Sequence, residues 1–141
     1  MAHALWIVCE RSGAWATALR GAAGGWRAPW RETRTARDCL DVLAASPASV
    51  VAVELSQPKL DETLGLLATI GELYPRARTL VLADRALADY EWLALELGVA
   101  AFVTSPRDLL PLVMLARRRL SSPSADPRGP IERIRQQLPW S

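Results

Sequence analysis

The sequence predicts an α/β fold, a doubly wound five-stranded parallel sheet with helices on both faces, and three observations carry that prediction. Short, continuously apolar runs recur at residues 4–8, 50–53, 80–83 and 100–103. Segments with apolar residues at helical spacing lie between them, and the joining stretches are short and polar. A strand that is apolar on every residue must be covered on both faces, and right-handed crossover helices provide that cover in a parallel sheet.

The elements follow in order. Ala4-Leu5-Trp6-Ile7-Val8 reads as the first strand and ends in the polar Glu10-Arg11-Ser12-Gly13. A helix from Ala14 carries Trp15, Ala18 and Leu19 on one face, and the Gly21 to Gly25 stretch is expected to stop it. Residues 26–33 allow a short edge strand only, because Pro29 cannot donate to a sheet ladder. Arg37 to Ala45 is a helix with Leu40, Leu43 and Ala44 together, ended by Ser46-Pro47. Val50-Val51-Ala52-Val53 runs into Glu54-Leu55-Ser56, and a helix from Asp61 to Leu73 is expected to turn Leu64, Leu67 and Ile70 or Gly71 inward. After the strand Thr79 to Ala83, a helix from Asp89 to Leu97 closes at Gly98, where a left-handed cap belongs. Ala100 to Thr104 is the last strand and Asp108 to Leu120 the last helix, whose Arg117-Arg118-Arg119 end suits the negative end of its dipole.

Residues 1–120 therefore make one domain. Residues 121–130, Ser-Ser-Pro-Ser-Ala-Asp-Pro-Arg-Gly-Pro, have the composition of a linker. Residues 131–141 offer a short amphipathic helix or tail with Ile131, Ile134 and Leu138 on one face and Trp140 beyond, a candidate docking segment. The net charge of +2 is too small to point to nucleic acid, and no segment reads as a membrane span or signal peptide, so a cytoplasmic location is expected. Cys9 and Cys39 form no disulfide framework, and with the lone His3 they supply too few ligands for zinc.

In parallel sheets of this kind, chemistry gathers beyond the carboxyl ends of the strands. Three of those ends, in order, are Leu5-Trp6-Ile7-Val8-Cys9-Glu10-Arg11, Val50 to Glu54 followed by Leu55-Ser56-Gln57-Pro58, and Gly98 to Thr104 followed by Ser105-Pro106. Over residues 4–120 this pattern resembles a response-regulator receiver domain. The resemblance implies a flavodoxin-like sheet of strand order 2-1-3-4-5. Receivers carry a phosphoacceptor aspartate, an acidic pair that holds Mg²⁺, a hydroxyl residue and a lysine that contact the phosphoryl oxygens, and an aromatic switch. Carried over by position, the acceptor is Glu54, the acidic pair Cys9 and Glu10, the hydroxyl position Ala83, the lysine position Ser105 and the switch aromatic Phe102.

Those departures matter chemically. Phosphoryl transfer needs an oxygen nucleophile and cations that neutralise the equatorial charge. Ser105 supplies no cation, Ala83 no hydroxyl, and Glu54 is one methylene longer than aspartate. Phosphorylation is therefore not expected. Glu54 either imitates a phosphorylated acceptor or is a solvated carboxylate pairing with Arg11 or Arg85, and the second reading is preferred. Glu10 and Glu54 at adjacent strand ends leave a weak Mg²⁺ site as an alternative. Phe102 is expected to pack rather than switch.

Enzyme readings fail on particular residues. A phosphatase loop of the low-molecular-weight tyrosine phosphatase kind needs an arginine where Trp15 stands. Glu10-Arg11-Ser12-Gly13 has one glycine and a carboxylate that repels phosphate, and no Walker A, GxSxG or HExxH pattern occurs. The chain reads as a non-enzymatic, cofactor-free module that acts by binding another protein. In receivers the fourth helix, fifth strand and fifth helix mediate pairing, and here Tyr90, Trp92, Leu110, Val113 and Arg117 fall on those elements, including as a homodimer face. Trp26, Trp30 and Trp140 form a second candidate surface. Small-ligand binding at the strand ends and contact of the basic C-terminal third with nucleic acid are the alternatives.

Overall fold

The structure, a computed structural model, describes residues 3–121. The linker and the candidate docking residues Ile131, Ile134, Leu138 and Trp140 lie outside the described residues.

Ten principal elements alternate: β1 (Trp6–Cys9), α1 (Ala14–Ala23), β2 (Trp30–Thr33), α2 (Ala36–Ala45), β3 (Val50–Leu55), α3 (Leu60–Leu73), β4 (Arg78–Ala83), α4 (Glu91–Glu96), β5 (Ala101–Val103) and α5 (Leu109–Ser121). All neighbouring strands pair in parallel, in the order β2-β1-β3-β4-β5. The expected fold class and strand order are both present.

The period-two geometry of a strand divides each apolar run between two layers. Ile7, Cys9, Val51, Val53 and Val81 face α2, α3 and α4, where they meet Cys39, Leu43, Leu66, Leu67, Ile70 and Ala94. Trp6, Val8, Val50, Ala52, Leu80 and Leu82 face the other way, onto Ala16 and Leu19 of α1 and Leu109, Leu112, Val113 and Ala116 of α5. Each fully buried aliphatic side chain contributes about 1.5–3 kcal/mol, so both layers are needed to offset the cost of ordering the chain. Burying β1, β3 and β4 on both faces places their carboxyl ends side by side, which positions the site.

Several boundaries differ from expectation for local reasons. α1 runs through Gly21 and stops only at Gly24, whose φ is +60°. The helix expected over 89–97 is shorter. A 3-10 segment, Arg85–Tyr90, starts where the Asp84 carboxylate accepts from the Arg85 N–H and the Asp84 carbonyl from the Leu87 N–H, and buried Leu87 breaks its geometry at φ −104°. The α-helix proper is Glu91–Glu96, and Gly98 beyond it takes a φ of +92°, the left-handed cap expected there. On α3 the buried face is Thr63, Leu66, Leu67 and Ile70, with Leu64 at its margin.

Trp26 and Trp30 are held within the domain rather than presented as a surface. Trp6, fully buried, stacks on Trp30 with ring centroids 4.5 Å apart and 18° between planes, and it meets Trp26 at 5.7 Å. Arg20 lies over Trp30 and Arg117 over Trp26, covering the outer ring faces with guanidinium groups.

Candidate functional site

The β1–α1 loop is built around a single carboxylate. Gly13, the residue before α1, has a φ of +89° and offers no side-chain cap. The first amides of α1 are satisfied from upstream instead. The Ala14 N–H donates to Ser12 Oγ at 3.3 Å. The two Glu10 carboxylate oxygens accept from the Trp15 N–H at 2.9 Å and the Ala16 N–H at 2.6 Å. Glu10 is 2% exposed. A buried anion at a helix N-terminus is stabilised by both the orphan amides and the dipole.

Glu54, at the end of β3, faces the same loop, and its Oε1 accepts from the Arg11 backbone N–H at 3.1 Å. Glu54 thus meets Arg11 through the backbone N–H and not through the guanidinium of the expected pairing. On the far side Arg34, following β2, donates to the Glu10 carbonyl at 3.3 Å and to Glu32 at 3.2 Å. Arg20 reaches Glu32 at 2.7 Å, and that hydrogen bond holds the Glu32 carboxyl below the usual carboxylate range.

A small cavity of about 60 Å³ opens between these strand ends, lined by Cys9, Glu10, Glu54, Arg34, Lys59 and Glu62 among others. Three of the five residues of the expected degenerate pocket, Cys9, Glu10 and Glu54, thus meet at one cavity. Ala83 does not line it: the residue is fully buried in the core facing α3 and α4. Ser105 does not line it either, and its Oγ accepts from the Arg107 N–H at 3.2 Å, opening the 3-10 turn Pro106–Asp108. The lining residues Arg34 and Lys59 carried no motif that would have marked them. Lys59 pairs with Glu62 at 3.2 Å.

A Mg²⁺ ion of the receiver kind does not fit these residues. Hard cations need free oxygen ligands. The Glu10 carboxylate is committed to two amides of α1, Glu54 is bonded to a third amide, and Cys9 offers sulfur. Among the described residues, no cluster of three or more His, Cys, Asp or Glu side chains is arranged to hold a metal.

The expected interaction face is altered in composition. Val113 is 4% exposed and belongs to the core beneath α5, so it cannot present a surface. Arg117 stays exposed, with its guanidinium over the Trp26 ring at 5.9 Å. Tyr90 and Phe102 are half-buried against the α3 and α4 side of the core. Trp92 is 64% exposed, which removes the core reading for it, and Leu110 is also exposed. Leu95 and Met114 join these as exposed apolar side chains that helical spacing alone did not single out.

Solved structures settle the comparison of the fold. The signal receiver domain of an HD domain-containing protein from Pseudomonas fluorescens Pf-5 superposes with a TM-score of 0.66, over 98% of this chain and 96% of that one, at 17% identity. This chain has the receiver-domain fold. The beryllofluoride-activated receiver domain of DrrB from Thermotoga maritima matches at TM-score 0.67 over 85% of this chain and 99% of that one, also at 17% identity. A CheY-like receiver from Methanospirillum hungatei JF-1 matches at TM-score 0.67 and 16% identity, over 84% of this chain and 97% of that one. No family model and no curated protein sequence matches the chain. Within the receiver fold, Glu54, Cys9 and Glu10 stand at the ends of β3 and β1, where the sequence pattern had put them.

Proposed function

We propose that this chain is a receiver-fold signalling module that does not undergo aspartyl phosphorylation and acts by binding another protein. One observation carries the reading: the Glu10 carboxylate is spent on the Trp15 and Ala16 amides, at 2.9 and 2.6 Å, and so serves the fold rather than a cation. Without that carboxylate, no pair of oxygens is left at the end of β1 to hold Mg²⁺ beside an acceptor. Glu54 in the acceptor position, Ala83 without a hydroxyl and Ser105 without a charge support the same reading. The module is non-enzymatic, and its signal resides in its surface.

Trp92 and Leu95 on α4 are the side chains best suited to a protein partner, being large, apolar and about half or more exposed. The partner contact is read as lying on the α4 side, with a second copy of the chain as one candidate partner.

Incubation with Mg²⁺ and acetyl phosphate, followed by intact-mass measurement, tests the proposal. An unmodified mass is expected. A phosphoryl adduct that disappears on Glu54→Gln substitution would overturn it.

A further inference from the structure

Two buried thiols lie behind the cavity, and the proposed signalling role makes no use of them. Cys9 ends β1 and Cys39 sits in α2. One backbone oxygen ties them together: the Thr35 carbonyl accepts the Cys9 thiol at 3.5 Å and the Cys39 amide at 3.1 Å. Cys9 and Cys39 belong to the same buried cluster, where α2 packs on β1.

A third group completes the arrangement. Thr33 stands in register beside Cys9 on the neighbouring strand β2. It is 6% exposed, and its hydroxyl has no hydrogen-bond partner. A buried hydroxyl left unpaired costs about 1–3 kcal/mol, a deficit that a negative sulfur next to it would relieve. The Thr33 and Cys39 side chains both favour a thiolate at Cys9. Cys39 is the larger influence, and together they hold the Cys9 thiol at about 7 against the opposing effect of burial. Cys39 is driven the other way, upward, by the neighbouring Cys9 and by burial. Cys9 is therefore the sulfur that ionises first, giving up its hydrogen bond to the Thr35 carbonyl when it does.

Access differs in the same sense. Cys9 lines the cavity of about 60 Å³, while Cys39 is fully buried and does not line it. One water needs about 10–15 Å³ of such space, so a molecule of two oxygens can enter.

We propose that Cys9 and Cys39 form a redox-active thiol pair, in which a peroxide reaching Cys9 through the cavity is reduced and the two sulfurs end as an intramolecular disulfide. The Cys9 thiolate attacks one peroxide oxygen, the O–O bond breaks, and hydroxide (or alkoxide) leaves, giving a sulfenic acid at Cys9. The Cys39 sulfur then attacks Cys9 Sγ, the S–O bond breaks, and the Cys39 proton leaves with the hydroxyl as water. The two electrons lost by the sulfurs are those gained by the peroxide.

The test is hydrogen peroxide at a few equivalents on the native full chain, quenched with iodoacetamide and read by mass spectrometry. The expected result is an intact mass lower by about 2 Da, restored by dithiothreitol, with tryptic peptides 1–11 and 38–59 joined. In Cys39→Ser, whose fold is checked by circular dichroism, Cys9 is expected to halt at a sulfenic acid that dimedone traps. The wild-type cross-link decides the question even where that variant fails to fold. Two results would overturn the proposal. One is two free thiols under conditions that oxidise the urea-unfolded chain, and the other is a disulfide formed between chains in place of the internal one.

Discussion

The Glu10 carboxylate and the Ala16 amide are 2.6 Å apart, a charge-assisted hydrogen bond buried at the start of α1. Together with the Trp15 amide at 2.9 Å, it converts a carboxylate at the β1 end into the cap of the next helix. Gly13 and Ser12 make this geometry available, Gly13 by its left-handed φ of +89° and Ser12 by covering the remaining amide.

Glu10→Ala should therefore destabilise the domain by about 2–4 kcal/mol, because it strips a buried and a part-buried amide of a charged acceptor. Glu10→Gln keeps one acceptor oxygen and should lose roughly half as much. Urea denaturation followed by circular dichroism measures both. An Ala variant as stable as the parent would mean that the cap is not formed in solution.

The tryptophans should divide by environment. Trp30→Ala removes the ring stacked on buried Trp6 and is expected to cost about 1–3 kcal/mol. Trp92→Ala, at a position 64% exposed, should stay within about 0.5 kcal/mol of the parent. Sedimentation velocity on Trp92→Ala and the parent then reports the surface role separately. Loss of self-association in the variant would identify a second copy of the chain as the partner, and an unchanged monomer would direct the search to another protein.

Gly98→Ala should cost about 1–2 kcal/mol in thermal or chemical melts. The position is a clean measure of backbone strain: its φ is +92°, and an added Cβ would meet nothing within 4 Å. A neutral substitution would contradict the left-handed cap at the end of α4.

The thiol pair carries a pH dependence with a definite sign. The groups acting on Cys9 are Cys39 and Thr33, which favour the thiolate, and Glu62 and Asp38, whose charges oppose it; Arg34, Lys59, Glu10 and Glu54 share its cavity. With the Cys9 thiol held at about 7, its thiolate fraction, and hence its rate of reaction with peroxide, should rise about tenfold from pH 6 to pH 8 and then level off. An ordinary thiol, near 8.5, would still be climbing steeply there. Because the folded value lies below the unfolded one, the thiolate stabilises the fold above the unfolded value, and that contribution is lost as pH falls through about 7. Stopped-flow kinetics of the parent against Cys9→Ser measures the rate.

The sheet was legible because β1, β3 and β4 are buried on both faces and so are written as unbroken apolar runs, such as Val50-Val51-Ala52-Val53. Gly98 was legible as a stop because its conformation excludes most other residues. What escaped the sequence depended on contacts between distant segments. Glu10 looks like half of an acidic pair, and only the path of the loop reveals that it turns back onto the α1 amides. Cys9 and Cys39 are thirty residues apart with no spacing signature, and they meet only where α2 packs on β1. Val113 falls among residues with the composition of a binding face, yet the packing of α5 sends it into the core. The late start of α4 follows the 3-10 segment opened by the Asp84 turn, a local hydrogen bond that competes with the helical pattern after it.

Titration of Mg²⁺ with beryllofluoride, followed by thermal stability and tryptophan fluorescence, tests the central claim most directly. Trp15 is the reporter, since its own amide is bonded to Glu10, whereas Trp6 stands at the opposite end of β1. No change in melting temperature or emission is predicted at any concentration, because the strand-end carboxylates are already held by backbone amides. A saturable, Mg²⁺-dependent stabilisation would show that the pocket accepts a phosphoryl group, and it would contradict the account.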